Sequence, residues 1–239
     1  MADRDGDTTT AAPPTTHDDL VVLGRASRSP DELKTLARPH DEVLIDLGTG
    51  DGRFALRTAR ARPEALVIAI DPVAEAMQQS AARAARKPAR GGAANVVFVV
   101  AGLERLPAAL HGLADTVTIN YPWGSLLRAV AWPEPEGLAA AVRLLAPDGL
   151  MIALLNASAA ERPDYAARND LPPLNDPEHV QRRLLPGWKD AGLEGFEWRY
   201  LAPGEQPPHR TSWGQRLVRG SGRETLLISG LRASSSTAL

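Results

Sequence analysis

"DEVLIDLGTGDGR", residues 41 to 53, decides the fold. A short apolar run, Val43 to Leu47, is interrupted only by Asp46 and breaks into Gly48-Thr49-Gly50-Asp51-Gly52 before a helical pattern over Phe54–Arg62. A buried strand that passes through glycines into a helix is the first half of a βαβ unit. The pattern then repeats: "ALVIAID" (65–71), a helix over Val73–Arg86, "NVVFVVAG" (95–102), a short helix near Pro107–Leu113, "TVTIN" (116–120), a helical stretch to Leu145 and "LMIALLNA" (150–157). Nearly continuous apolar strands mark a parallel sheet covered on both faces. A Pro-rich connection, a helix around Glu178–Ala191, "FEWRYLA" (196–202), a loop with Pro203, Pro207 and Pro208, and "ETLLISGL" (224–231) follow. The chain therefore reads as α/β: a doubly wound, mostly parallel sheet with helices on both faces, closed by a late antiparallel hairpin.

Working outward from that core, Ser29-Pro30-Asp31-Glu32 carries an N-cap, a proline at the first helical position and a capping glutamate, which predicts a short helix to about Ala37. Residues 1–18 are Thr, Ala, Pro and Asp-rich without period and read as a disordered tail, as do residues 234–239. One domain over residues 19–233 is expected. The longest apolar runs, Ala65–Ile70 and Leu150–Leu155, are too short to span a bilayer, and the first residues lack a signal-peptide stretch, so the expected location is the cytoplasm, away from any membrane.

The chain has no cysteine, which excludes disulfides, thiolate metal centres and a cysteine nucleophile. Its five histidines show no paired metal spacing, so no metal site is expected. A net charge of −2 argues against a generic nucleic-acid binder, although charge can be concentrated locally. Only Lys34, Lys87 and Lys189 are lysines; the other 24 basic residues are arginine, which favours bidentate phosphate contacts.

The first βα turn and the end of the next strand together suggest a nucleoside ligand. Glycines such as Gly48 and Gly50 let a ligand approach the backbone, and Asp71, ending the next strand, is placed to accept hydrogen bonds from ribose hydroxyls. A dinucleotide fingerprint needs glycine where Arg53 stands, and Asp46 and Asp51 would repel a pyrophosphate. The acidic turn suits the cationic end of S-adenosylmethionine better than NAD, the dehydrogenase alternative; a plain tight turn with Asp71 as a helix cap is the other reading. By position, Leu103 and Glu104 face the adenine of such a cofactor. A further oddity is Tyr121-Pro122-Trp123, which ends the "TVTIN" strand with exposed-looking aromatics.

"IDLGTGDGR", "IDPV", "KPARGGAANVVFV", "PWGSLL" and "SWGQRL" followed by "GR" carry a resemblance from roughly Leu20 to Leu231: the chain resembles the 16S rRNA (adenine-1408, N1) methyltransferases of aminoglycoside resistance. The first motif is shared by many methyltransferases, whereas the Pro-Trp-Gly turn paired with a late Trp is more specific. The resemblance implies a class I, seven-stranded methyltransferase sheet with an N-terminal β-hairpin. It implies cofactor contacts at Gly48, Asp71, Leu103, Glu104, Asn120, Ser125 and Thr211, and base-holding tryptophans at Trp123 and Trp213. It also implies rRNA-docking residues at Arg83, Arg86, Lys87, Arg216 and Arg223, with the assembled 30S subunit as partner of a monomeric enzyme. Ala82 and Ser221 stand where further basic residues are expected, and Thr211-Ser212 precedes the late Trp in place of Ser-Leu.

Chemistry suits this pattern. Adenine N1 has an in-plane lone pair and no proton, so it attacks a methyl group without a general base and yields a cationic ring. The protein must flip the base, align N1 with the methyl group and stack the ring between π faces. Trp132, Trp188 and Trp198 read as packing residues instead. Arg83, Arg86 and Lys87 sit at helical spacings, consistent with a phosphate-facing side or with a solvated face. Rival readings are a tRNA guanine-N7 or small-molecule methyltransferase, and a non-catalytic cofactor-binding homologue that docks on the ribosome.

Overall fold

The computed structural model describes residues 22–23, 30–133, 135–158, 167, 170–202, 205 and 224–234. Strands β2 (Glu42–Leu47), β3 (Ala65–Asp71), β4 (Val96–Val100), β5 (Ala114–Asn120), β6 (Leu145–Asn156), β7 (Leu193–Leu201) and β8 (Thr225–Arg232) form one sheet in the order β4-β3-β2-β5-β6-β8-β7. The first five are mutually parallel, and β8 runs antiparallel to both of its neighbours. This is the expected seven-stranded mixed sheet. Of the expected amino-terminal hairpin, only β1 (Val22–Leu23) lies within the described residues, and it adds an eighth strand antiparallel to β4.

Alternation along the strands builds a core on each face. Leu44, Val67, Ala69, Val96 and Phe98 pack with Ala55, Leu56 and Ala59 of α2 (Arg53–Ala61) and with Met77, Ala81 and Ala84 of α3 (Ala74–Ala84). Their neighbours Val43, Ile45, Leu66, Ile68, Ile70 and Val97 join the opposite cluster. There they meet Leu33 of α1 (Pro30–Ala37), Leu126, Leu127 and Val130 of α4 (Gly124–Ala131), Leu138 and Ala141 of α5 (Pro135–Val142), and Leu184 and Trp188 of α6 (177–190). Burial on both sides is why β3 reads as an unbroken apolar run: Ala65 to Ile70 are all buried.

Three elements differ from the sequence reading. The helical stretch before Leu145 is two helices, because Trp132-Pro133 interrupts it and the ring of Pro133 cannot continue an α-helical hydrogen-bond ladder. The segment near Pro107–Leu113 forms only a 3-10 turn over Ala108–Leu110. Helix α3 stops at Ala84, short of Arg86, because Lys87 precedes Pro88 and adopts the extended conformation (φ −60°, ψ 146°) that such a residue prefers. The expected tails are outside the described residues except for Ser234.

Candidate functional site

The strand order reverses between β2 and β5, and the crevice at the carboxyl end of such a switch point is where open α/β sheets bind ligands. A pocket of about 370 Å³ opens there, bringing Gly48, Gly50, Asp71, Leu103, Glu104, Trp123 and Ser125 together from four separate connections.

The β2–α2 turn forms its floor. The amides of Gly48 and Thr49 donate to the Ile70 carbonyl at 2.9 and 3.0 Å, fastening the turn to the end of β3. Gly48 has φ +73°, a left-handed conformation that favours glycine, and a Cβ there would lie 2.5 Å from Leu126 Cδ2, so a larger residue would also displace that side chain of α4. Gly50 has φ +59°, but nothing lies within 4 Å of its would-be Cβ: this glycine faces open space in the pocket. Both Asp71 oxygens accept backbone hydrogen bonds, from the amide of Gly50 at 2.9 Å and of Val73 at 2.9 Å. That fixes the carboxylate at the wall, with lone pairs left to accept further hydrogen bonds. The Glu104 carboxyl titrates below its ordinary value, first because it accepts from the Ser125 side chain and then from its own backbone amide. Among the described residues the lining thus includes two carboxylates and no lysine, arginine or histidine. Such a site favours a cation and disfavours a pyrophosphate.

Asp46 sits elsewhere. It is completely buried beneath the turn, taking hydrogen bonds from Thr49 Oγ1 (2.5 Å), Thr118 Oγ1 (2.9 Å) and Asn120 Nδ2 (3.0 Å). Burial raises its pKa most, the three hydrogen bonds oppose that, and the neighbouring Asp71 charge adds to the rise. Asp46 and Asn120 therefore support the pocket from below and are not among its lining residues.

Trp123 is the N-cap residue of α4 and 51% exposed at the pocket mouth. The other strongly exposed apolar residue of the pocket is Val73, at 50%. Its signal in the sequence was its place directly after "IDP", although sequence reasoning gave it no role. Trp123 follows a strained residue: Tyr121 has φ +50°, a left-handed conformation costing about 1–3 kcal/mol for a non-glycine residue. By contrast Trp188 is fully buried and donates to the Val130 carbonyl at 3.0 Å, while Trp132 packs edge-on to His179 and Trp198 edge-on to Tyr200. Those three are packing residues, as expected.

Arg83, Arg86, Lys87 and Arg90 are all exposed and have no ion-pair partner among the described residues. Arg83 lies in α3, Arg86 and Lys87 in the turn after it, and Arg90 at the end of the 3-10 turn Pro88–Arg90. Arg60, at the end of α2, joins them across space, since a Cβ on Gly91 would lie 2.9 Å from its guanidinium. No sequence spacing could reveal that neighbour. Thr211, Trp213, Arg216 and Arg223 lie outside the described residues. Among the described residues no cluster of three metal-ligating side chains occurs, and no helix is long and apolar enough to cross a membrane.

Sheet order, glycine turn and strand-end carboxylate are those of a class I S-adenosylmethionine-dependent methyltransferase, and the open space over Gly50 with two carboxylates around it fits that cationic cofactor. Comparison with known proteins narrows the class. The profile of the NpmA family, 16S rRNA (adenine(1408)-N(1))-methyltransferase, matches residues 21–232, and the chain belongs to that family. The 16S rRNA (adenine(1408)-N(1))-methyltransferase of Streptoalloteichus tenebrarius is 35% identical over 200 residues, 83% of this chain and 91% of the relative. A tryptophan-to-alanine variant of the enzyme of that name from Catenulisporales acidiphilia, solved with cosubstrate SAM, superposes with TM-score 0.82 at 32% identity over 92% of this chain and 99% of the other. The aminoglycoside resistance methyltransferase NpmB1 gives TM-score 0.76 at 34% identity over 90% and 100%.

Proposed function

We propose that the protein methylates N1 of adenine 1408 in the decoding site of 16S rRNA within the assembled 30S subunit, and so confers aminoglycoside resistance. The observation that carries this reading is Trp123: a large π face held half-exposed at the mouth of a pocket built for a cationic cofactor. S-adenosylmethionine, when bound, supplies an electrophilic methyl group. Gly48, Gly50 and Asp71 hold the nucleoside end; Leu103, Glu104 and Ser125 border the neighbouring part of the pocket, and Asp46 and Asn120 stiffen the floor beneath it. Thr211 is assigned to the same cofactor and Trp213 to the second face of the flipped base. Adenine N1 needs no proton removed, and among the described residues lining the pocket there is no histidine or lysine to remove one.

Docking falls to the exposed cations. Arg83, Arg86 and Lys87, extended by Arg60 and Arg90, form a concentrated basic surface on a chain of net charge −2, and phosphate contacts by such groups release counterions. Arg216 and Arg223 are assigned to the same RNA. The enzyme acts as a cytoplasmic monomer, without a membrane.

Variants of Trp123 test the reading. Base–aromatic stacking is worth about 1–3 kcal/mol per base, so Trp123→Ala is expected to slow methyl transfer at limiting 30S by roughly 5- to 150-fold, with partial recovery in Trp123→Phe. The melting temperature should hardly move, because the side chain is half-exposed. Wild-type transfer by the alanine variant, or a large loss of stability, would make Trp123 a packing residue.

A further inference from the structure

Tyr121 is not one of the pocket-lining residues, yet it is the residue on which the position of Trp123 turns. Its side chain is 5% exposed and packs with Leu154, Leu201 and Leu227 in a cluster separate from the two main cores. Its amide donates to the Leu154 carbonyl at 2.8 Å. Its hydroxyl lies 2.9 Å from Thr225 Oγ1, a side chain that is itself 2% exposed. Thr225 is the first residue of β8 and pairs with Leu201, the last of β7, so the bond reaches the base of the β7–β8 connection. Two residues after Tyr121 the chain presents Trp123, whose carbonyl accepts from the amide of Leu127 in the first turn of α4. A left-handed tyrosine persists only where its surroundings over-determine it. Here ring, amide and hydroxyl each have a fixed partner.

We infer that the Tyr121–Thr225 hydrogen bond is a latch, with Tyr121 a positioning residue that holds the Trp123 turn against the paired ends of β7 and β8. Its consequence for catalysis rests on the reading of Trp123 as the base platform. Tyr121→Phe keeps the ring and removes the bond, and Thr225→Val removes it from the other side.

Fluorine NMR on 5-fluorotryptophan-labelled protein reads the latch without any methyl transfer. Both variants should shift or broaden the Trp123 signal, identified through Trp123→Phe, while buried Trp188 stays in place. On 30S subunits each should slow the single-turnover rate by about 2- to 12-fold, the usual worth of one hydrogen bond, with cofactor affinity unchanged. The double variant should be no slower than the singles, because the same bond is lost once. A Trp123 signal unmoved in both variants overturns the latch, even if melting temperature falls. So does a wild-type turnover rate in Tyr121→Phe. Should the wild-type protein leave 30S unmodified, the proposed function fails, and the fluorine signal still decides the latch.

Discussion

Asp46 and Asp71 show how two carboxylates 25 residues apart in sequence take different roles from their surroundings. Asp71 is partly exposed and carries two backbone hydrogen bonds on the pocket wall; Asp46 is sealed under it. Sequence reasoning gave both to the cofactor, because a strand-end aspartate reads alike whether its side chain points up to the ligand or down to Thr118. The exposure of Trp123 was legible in its place between proline and glycine at a strand end. Burial of Asp46 raises its pKa above the ordinary carboxylate value of 3.8. The folded protein therefore binds its proton more tightly than the unfolded chain does, and this contribution to stability is present in full below that value and lost as pH rises through the folded pKa. Asp46→Asn, which cannot titrate, should gain on the wild type in melting temperature as pH rises above the ordinary carboxylate value of 3.8. Parallel melting curves across that range would show that Asp46 does not titrate differently on folding.

Among the elements, β3 was readable to the residue and the start of α2 to within one residue, because double-sided burial and a left-handed glycine turn each leave a plain mark on the sequence. The end of α3 was not. Charges at helical spacing extended the reading through Arg86, whereas the steric demand of Pro88 had already ended the helix at Ala84. This matters for the proposed docking: Arg86 and Lys87 lie in the turn beyond the helix, and the Arg60 guanidinium of α2 reaches Gly91 at its far end, so the exposed cations come from two helices and a turn. Replacing Arg86 and Lys87 with Glu should weaken 30S binding and lower the slope of log K against log salt by about 2, with cofactor affinity and melting temperature kept. An unchanged slope would make this a solvated face.

At the scale of the whole molecule, the sheet gathers into one crevice residues that sequence separates by up to 79 positions, from Leu47 to Leu126. Strand alternation and βαβ repetition foretold that gathering, along with the reversal at β8. The spatial join of the Tyr121 turn to β8 was invisible, because a Tyr–Thr bond across 104 positions leaves no periodic trace. Charge is divided as well: carboxylates line the pocket at the switch point, and exposed cations lie at the end of α3 and on the turn after it. An acidic hollow for a sulfonium and a basic approach for a polyanion are what an RNA methyltransferase needs. Primer extension on purified 30S subunits treated with the protein and S-adenosylmethionine tests this most directly, because methylation at N1 blocks the pairing edge of adenine. A new stop immediately before adenine 1408, requiring both protein and cofactor, is the expected result. Full-length extension through 1408, or methyl transfer to another nucleotide in its place, would contradict the proposed function.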